Sequence, residues 1–182
     1  MESMSAVATR ITVEEFLALP EDETIRRELI GGEVIAMGRG GQPHEIVKSN
    51  FIQELGSYFK MNPVGRVLSE TSFQLGPHDS PMPDVSVILA GRLNPVHTGL
   101  IALCPDLAVE VVSSESAAVL QAKVKLYLNH GARAVWVAYP ELRFIHVYDG
   151  SGVRELTGDQ LLEAPELLPG FSVLVFTLFV GL

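Results

Sequence analysis

Two short runs, Pro83 to Leu89 and Leu107 to Val112, are apolar at almost every position. Unbroken apolar runs of this length predict strands buried on both faces, in the middle of a sheet. Glu110 interrupts the second run on the side shared with Ala108 and Val112, because side chains alternate along a strand. An ionised carboxylate there is costly unless a cation meets it. The segment that follows has helical spacing: Leu120, Val124 and Tyr127 fall on one face, with Ser113, Ser114 and Ser116 as candidate N-caps. Lys123 lies at the edge of that face and turns inward, toward the sheet, whereas Lys125 turns outward with Gln121 and Asn129. His130-Gly131 closes the helix.

The same reading extends along the chain. Residues 1 to 10 read as a loose leader, and residues 11–182 as a single domain. Thr12 and Glu15 form a capping box that opens a short helix ending near Leu19-Pro20. Glu21-Asp22-Glu23 is a solvated acidic connector. Arg27 to Met37 predicts a hairpin turning at Gly31-Gly32, flanked by Glu28 and Glu33. Gly38 to Pro43 is a glycine-rich loop without phosphate-loop spacing. Ile46, Phe51, Ile52, Leu55, Tyr58 and Phe59 recur at helical intervals, so a long amphipathic helix is expected from His44 to Phe59. Gly65 to Leu75 alternates as a strand, Gly76 to Pro81 is a turn, and the loop from Arg92 to Cys104 holds Pro95, His97 and Gly99. Ala134 to Pro140 and Leu142 to Tyr148 predict two further strands before a turn at Asp149 to Gly152. The order implies a mixed α/β domain: a central sheet flanked by helices, with an N-terminal helix and hairpin.

Composition narrows the classes. A chain of 182 residues, 47% hydrophobic and 19% charged, has material for one sizeable core. The net charge of −9 removes any global basic field for a polyanion, and Arg26, Arg27, Arg39, Lys48, Lys60, Arg66, Arg92 and Arg133 read as scattered. A lone Cys104 excludes an internal disulfide framework and a cysteine-based zinc site. The first twelve residues contain Glu2 and Arg10 and no long apolar run, and the apolar tail Phe171 to Leu182 is too short for a membrane span. The expectation is a cytoplasmic protein with no membrane partner.

The candidate chemistry is the set Asp84, Glu110 and Lys123. Two acids on neighbouring strands and an inward lysine suit a Mg²⁺ site with an oriented water. The competing reading is structural, with Glu110 and Lys123 as a buried ion pair and Asp84 as a turn cap. His44 either caps its helix or approaches a substrate phosphate or the metal site. Glu28 and Glu33 read equally as cross-strand partners of Arg26 or Arg27.

These residues, in order, resemble the Uma2 (DUF820) family, an endonuclease-like group within the PD-(D/E)XK, restriction-endonuclease-like superfamily. The resemblance spans most of the chain. It runs through Thr12 to Phe16, Glu28-Leu29-Ile30-Gly31-Gly32-Glu33, His44, Pro83-Asp84, Pro105 to Ser113, Lys123 with Tyr127, Gly131, Trp136, Pro140 and Leu167 to Phe171. It implies a restriction-endonuclease-like core acting on DNA, with Asp84 and Glu110 binding Mg²⁺ or Mn²⁺ and Lys123 as the catalytic lysine. The superfamily lysine stands two residues after the acid, where this chain has Val112, so Lys123 resembles one relocated to the next helix. Glu28 matches an acid placed early in the fold near the metal. Two positions depart from the pattern. Tyr139 stands where an Asp usually precedes the Pro, and Ser114 to Gln121 carries only Glu115 as an acid. The alternative is a catalytically inactive relative that binds nucleic acid or protein. A homodimer is also expected, with the tail Phe171 to Val180 covering a sheet edge of its partner.

Overall fold

The computed structural model describes residues 10–20, 25–38, 40–92 and 99–182. Residues 1–9 of the expected leader, the acidic connector 21–23, Arg39, Pro95 and His97 lie outside them. Six strands form one sheet: β3 (Gly65–Ser69), β4 (Val85–Leu89), β5 (Leu107–Val111), β6 (Ala134–Tyr139), β7 (Phe144–Asp149) and β8 (Gly152–Thr157), in that spatial order. β5 and β6 are parallel, and their other neighbours pair antiparallel, so the sheet is mixed. The parallel pair needs a crossover. α3 (Ala117–Asn129) supplies it, with Ser116 as N-cap accepting from the Val119 amide and Gly131 beyond the end at φ 100°.

Two helices cover the two faces. α2 (Gln42–Met61) lays Val47, Phe51 and Leu55 against Trp136, Val109 and Val147. α3 lays Leu120, Val124 and Tyr127 against Ala108, Val135 and Val137 on the opposite face. β4 and β5 are buried along nearly their whole length, as unbroken apolar runs require.

A small hairpin stands apart from the sheet. β1 (Arg26–Ile30) and β2 (Glu33–Met37) pair antiparallel around Gly31 (φ 59°) and Gly32 (φ 82°), the positive-φ pair of a tight hairpin turn. It is preceded by α1 (Val13–Leu17), whose capping box joins Thr12 and Glu15. Leu29 exchanges backbone hydrogen bonds with Ser80, which fixes the hairpin beside the start of β4. Period-two alternation then turns Arg26 and Glu28 to the same side.

The structure departs from the sequence reading in several places. β3 ends at Ser69, because Glu70 takes φ 47° and the chain leaves the sheet before Thr71 and Phe73. β7 begins at Phe144, after a turn in which Arg143 adopts φ 54°. α2 begins at Gln42-Pro43, with proline in the first turn, so the glycine loop is shorter than expected. Beyond Asp149 the sequence suggests no strand, yet β8, β9 (Leu161–Glu163) and β10 (Ser172–Leu174) follow. β8 is exposed at almost every residue, so it lacks an alternating signal. The tail does not wait for a partner's sheet edge: Phe171, Val173, Val175, Leu178 and Phe179 join the chain's own core, and Asn50 Nδ2 donates to the Leu178 and Val180 carbonyls.

Candidate active site

The site forms where the hairpin, the start of α2, the start of β4, the end of β5 and the inward face of α3 meet. The β4–β5 register, Val85 opposite Val109, sets Asp84 opposite Glu110 one step further on. Like charges directly opposite each other repel, and both residues are buried. The surrounding contacts answer that cost. Asp84 Oδ2 accepts the Val111 amide at 2.8 Å. Its Oδ1 receives Arg26 Nη1 at 3.1 Å and lies 3.2 Å from His44 Nε2. Glu110 Oε2 accepts from Lys123 Nζ at 2.7 Å, and its Oε1 accepts from the Tyr127 hydroxyl at 2.7 Å. Lys123 also donates to Glu28 Oε1 at 3.0 Å, and that oxygen receives the Met82 amide at 3.2 Å. Glu28 Oε2 is buried with no hydrogen-bond partner among the described residues.

A second ring surrounds this one. Lys48 contacts Glu45 at 2.6 Å and Glu70 at 2.7 Å, Arg26 reaches Glu70 at 3.4 Å, and His44 Nδ1 lies 3.1 Å from Glu45. The web therefore holds five carboxylates (Glu28, Glu45, Glu70, Asp84, Glu110) against Arg26, His44, Lys48 and Lys123. It is short of positive charge even with His44 protonated.

The titration behaviour follows. Burial pushes Asp84 up, but the His44 hydrogen bond and charge, the Val111 amide and Lys123 together hold it at about 2. Glu110 goes the other way, to about 8. Burial is the largest cause; Lys123 opposes it, and the charges of Asp84 and Glu28 add to it. One ammonium between two buried carboxylates, with a third nearby, leaves an excess of negative charge that a proton on Glu110 relieves. Burial lowers Lys123, but Glu110 and Glu28 more than reverse it, so the ammonium is retained. The Tyr127 hydroxyl is raised by burial and then by Glu110. His44 is also raised: burial lowers it, and Asp84 and then Glu45 outweigh the burial.

All five residues singled out in the sequence, Glu28, His44, Asp84, Glu110 and Lys123, come together here. Glu33 does not; it is exposed at the start of β2. Sequence reasoning missed five members, of which Glu45, one position after His44, is brought in by the first turn of α2. Arg26 and Lys48 were read among scattered basic residues, yet both converge on the acids. Glu70 is delivered by the backbone turn that ends β3, which no periodicity announces. Tyr127 was counted with the apolar face; its i, i+4 spacing from Lys123 could have signalled that both reach the same acid. Gly40 has a local reason too, because a side chain there would collide with the His44 ring.

A cavity of about 10 Å³ lies among Arg26, His44, Asp84, Glu110 and Lys123, which is room for about one water-sized sphere. Among the described residues no three acidic, histidine or cysteine side chains are arranged to hold a metal by themselves. Asp84 and Glu110 are a pair, and Mg²⁺ is characteristically bound through one or two carboxylates completed by water and substrate phosphate. An all-oxygen donor pair, a shortage of positive charge and a one-ion space fit a small divalent cation. Glu28 stands behind Lys123 rather than on the cavity wall.

Comparison with known proteins bears on the family and the fold. No curated protein matches the chain. A crystal structure of a "putative nuclease belonging to DUF820" from Anabaena variabilis superposes with a TM-score of 0.83 at 26% identity, covering 93% of this chain and 97% of the other. Among the described residues no helix is long and apolar enough to cross a membrane. The family model for Uma2, described as "Putative restriction endonuclease", matches residues 13–178, and with that span, which contains every residue of the acid–lysine web, the chain belongs to the Uma2 family.

Proposed function

We propose that this protein is a divalent-metal-dependent endonuclease that hydrolyses phosphodiester bonds in DNA, using Mg²⁺ or Mn²⁺. The observation that carries the reading is the convergence of Asp84, Glu110 and Lys123 on one ion-sized cavity, with Glu28 and Tyr127 holding the latter two in place. Family membership supports it, since restriction-endonuclease-like nucleases generally use divalent metals. Asp84 and Glu110 would hold the cation, which supplies polarisation of a water and of the phosphate oxygens. Lys123 orients the attacking water through its ammonium hydrogens and offsets negative charge as the new oxygen–phosphorus bond forms and the old one breaks. Glu28 keeps Lys123 charged and aimed. Tyr127 fixes one oxygen of Glu110, so that the other faces Lys123 and the cavity. His44, beside Asp84, would meet a phosphate oxygen by exchanging one of its carboxylate contacts for the substrate.

One observation favours a catalytically inactive binding module instead: every oxygen of Asp84 and Glu110 already has a protein partner. Calorimetric titration of Mn²⁺ and Mg²⁺ into wild type and the Asp84→Ala/Glu110→Ala double variant separates the two. Binding by wild type that is lost in the double variant, with Mn²⁺-dependent cutting of plasmid DNA that Lys123→Ala removes, is the expected result. Binding that survives in the double variant, or cleavage by it, overturns the metal-site reading. Metal binding by neither protein, together with no cleavage, puts the binding module first.

A further inference from the structure

A larger groove of about 380 Å³ adjoins the acid–lysine cavity and shares His44 and Ser113 with it. It lies at the carboxyl end of the parallel β5–β6 pair, where the crossover to α3 leaves, which is the characteristic place for ligands in sheets of this connectivity. One wall is Gly41 and His44 at the start of α2. The other is Tyr139, Pro140 and Leu142. Glu110 is paired with Val137, so Tyr139, two residues on, stands on the face of the sheet that carries Glu110.

Tyr139 is not a lone exposed ring. Phe144 stacks against it with ring centroids 4.5 Å apart and an interplanar angle of 29°, and His146 meets it edge-on at 5.1 Å. Backed in this way, the tyrosine plane is held by neighbours on its own sheet while it lines the groove. The groove volume falls within the range of small-ligand pockets. Aromatic planes beside a backbone-binding centre are the usual platforms for unpaired bases, which stack with little regard to sequence.

We infer that the groove receives one unpaired base next to the scissile phosphate, stacked on Tyr139, so that the preferred substrate is single-stranded DNA or a duplex with a nucleotide turned out of the helix. This rests on the nuclease reading above and specifies its substrate. His44, common to both spaces, would lie between the base and the reacting phosphate. Phe144 and His146 act as support for Tyr139.

The test is a fluorescence titration of the full chain, with Ca²⁺ in place of Mg²⁺, against single-stranded and fully paired oligonucleotides of one sequence carrying 2-aminopurine. Wild type, Tyr139→Phe and Tyr139→Ala are compared, with thermal unfolding of each to confirm that the variants fold. The expected result is tighter binding of the single strand with stacking-induced quenching. Tyr139→Phe should retain both, and Tyr139→Ala should lose the quenching and roughly 5- to 150-fold in single-strand affinity, the range for one stacked base. Should Tyr139→Ala misfold, loss of the quenching in a folded Tyr139→Leu variant carries the same meaning. Equal binding of both strand forms, or single-strand affinity unchanged in the alanine or leucine variant, overturns this inference and leaves the nuclease reading standing. Binding of neither oligonucleotide by wild type removes both.

Discussion

β4 and β5 are each preceded by Pro-Asp, and because they run antiparallel the two aspartates lie at opposite ends of the pair. Their local bonding is nearly the same. Asp84 Oδ2 accepts the amide of Val111, the last residue of β5, and Asp106 Oδ2 accepts that of Leu89, the last residue of β4. Each carboxylate also meets an arginine, Arg26 at 3.1 Å in the first case and Arg92 at 2.8 Å in the second. The difference lies across the strand. By register Asp84 faces Glu110, whereas Asp106 faces Ile88. One end is therefore a satisfied strand clamp. The other is the same clamp with a second carboxylate forced against it, and the web of Lys123, Tyr127, Glu28 and His44 exists around that repulsion. A Pro-Asp dipeptide marks a strand start; what makes one of them a candidate site is the residue opposite.

The sharpest way to break the comparison is to remove the cation that makes the Asp84 end tolerable. Lys123→Met leaves Glu28 and Glu110 buried without their ammonium, a change expected to cost ~3–5 kcal/mol of stability. The sign with pH follows from Glu110. Its carboxyl is raised to about 8 in the folded chain, above the unfolded value, and loss of Lys123 raises it further. The cost of ionising it is absent below the unfolded pKa and grows as pH rises. Urea unfolding should show the deficit of Lys123→Met to be small near pH 5 and largest above pH 8, and Glu110→Gln in the same chain should recover most of it. A pH-independent deficit would mean that Lys123 contributes by packing alone.

Substituting the two aspartates should separate their roles. Asp84→Ala is expected to lower metal-dependent cleavage by more than roughly 100-fold, since losing groups that merely orient a ligand already costs 10- to 100-fold. Asp106→Ala should leave cleavage intact. It leaves the Leu89 amide without its acceptor and the Arg92 guanidinium with the Cys104 carbonyl alone, and should cost ~1–3 kcal/mol of stability, as expected for losing a buried acceptor. Cleavage assays and urea midpoints on both variants check the pattern. Equal effects of the two substitutions on cleavage would dissolve the distinction.

Acid pH provides a finer test. Asp84 is held at about 2 against an ordinary 3.8, so its ionised contacts contribute about 2 kcal/mol above the unfolded pKa, which disappear as pH falls through the folded one. The difference in unfolding free energy between wild type and Asp84→Asn should therefore narrow by about that amount between pH 5 and pH 2. A constant difference over that range would show that Asp84 is not stabilised in its ionised form.

The contrast also explains what the sequence made legible. Glu110 and Lys123 could be read because each breaks a pattern, an acid in an apolar run and a lysine on an inward helix face. The fold class was readable from the same runs, and the structural neighbour bears it out. Asp84 and Asp106 could not be told apart by their surroundings in sequence, since the difference is a cross-strand register. Arg26 and Lys48 were invisible as site members because a hairpin docked through Ser80 and a helix on the far side of the chain bring them in. β8 was missed for the opposite reason: an exposed strand has no apolar stripe, and only pairing with β7 defines it.

The smallest effect concerns His44, the histidine of the web. Burial alone would lower it, but the hydrogen bond and charge of Asp84, and then Glu45, raise it above its ordinary 6.5. A histidine raised on folding contributes stability that is complete below the unfolded pKa and is lost as pH rises through the folded one. The stability difference between wild type and His44→Gln should therefore be greatest below pH 6.5 and shrink on the alkaline side. The same group reports on the comparison directly, because it touches one aspartate and not the other. Followed by the ring-proton NMR shift of His44, Asp84→Asn should lower its pKa, and Asp106→Asn, at the far end of the strand pair, should leave it in place. If Asp106→Asn moves His44 as far as Asp84→Asn does, the two ends of β4 and β5 are electrostatically one system, and the opposing Glu110 no longer accounts for the difference between them.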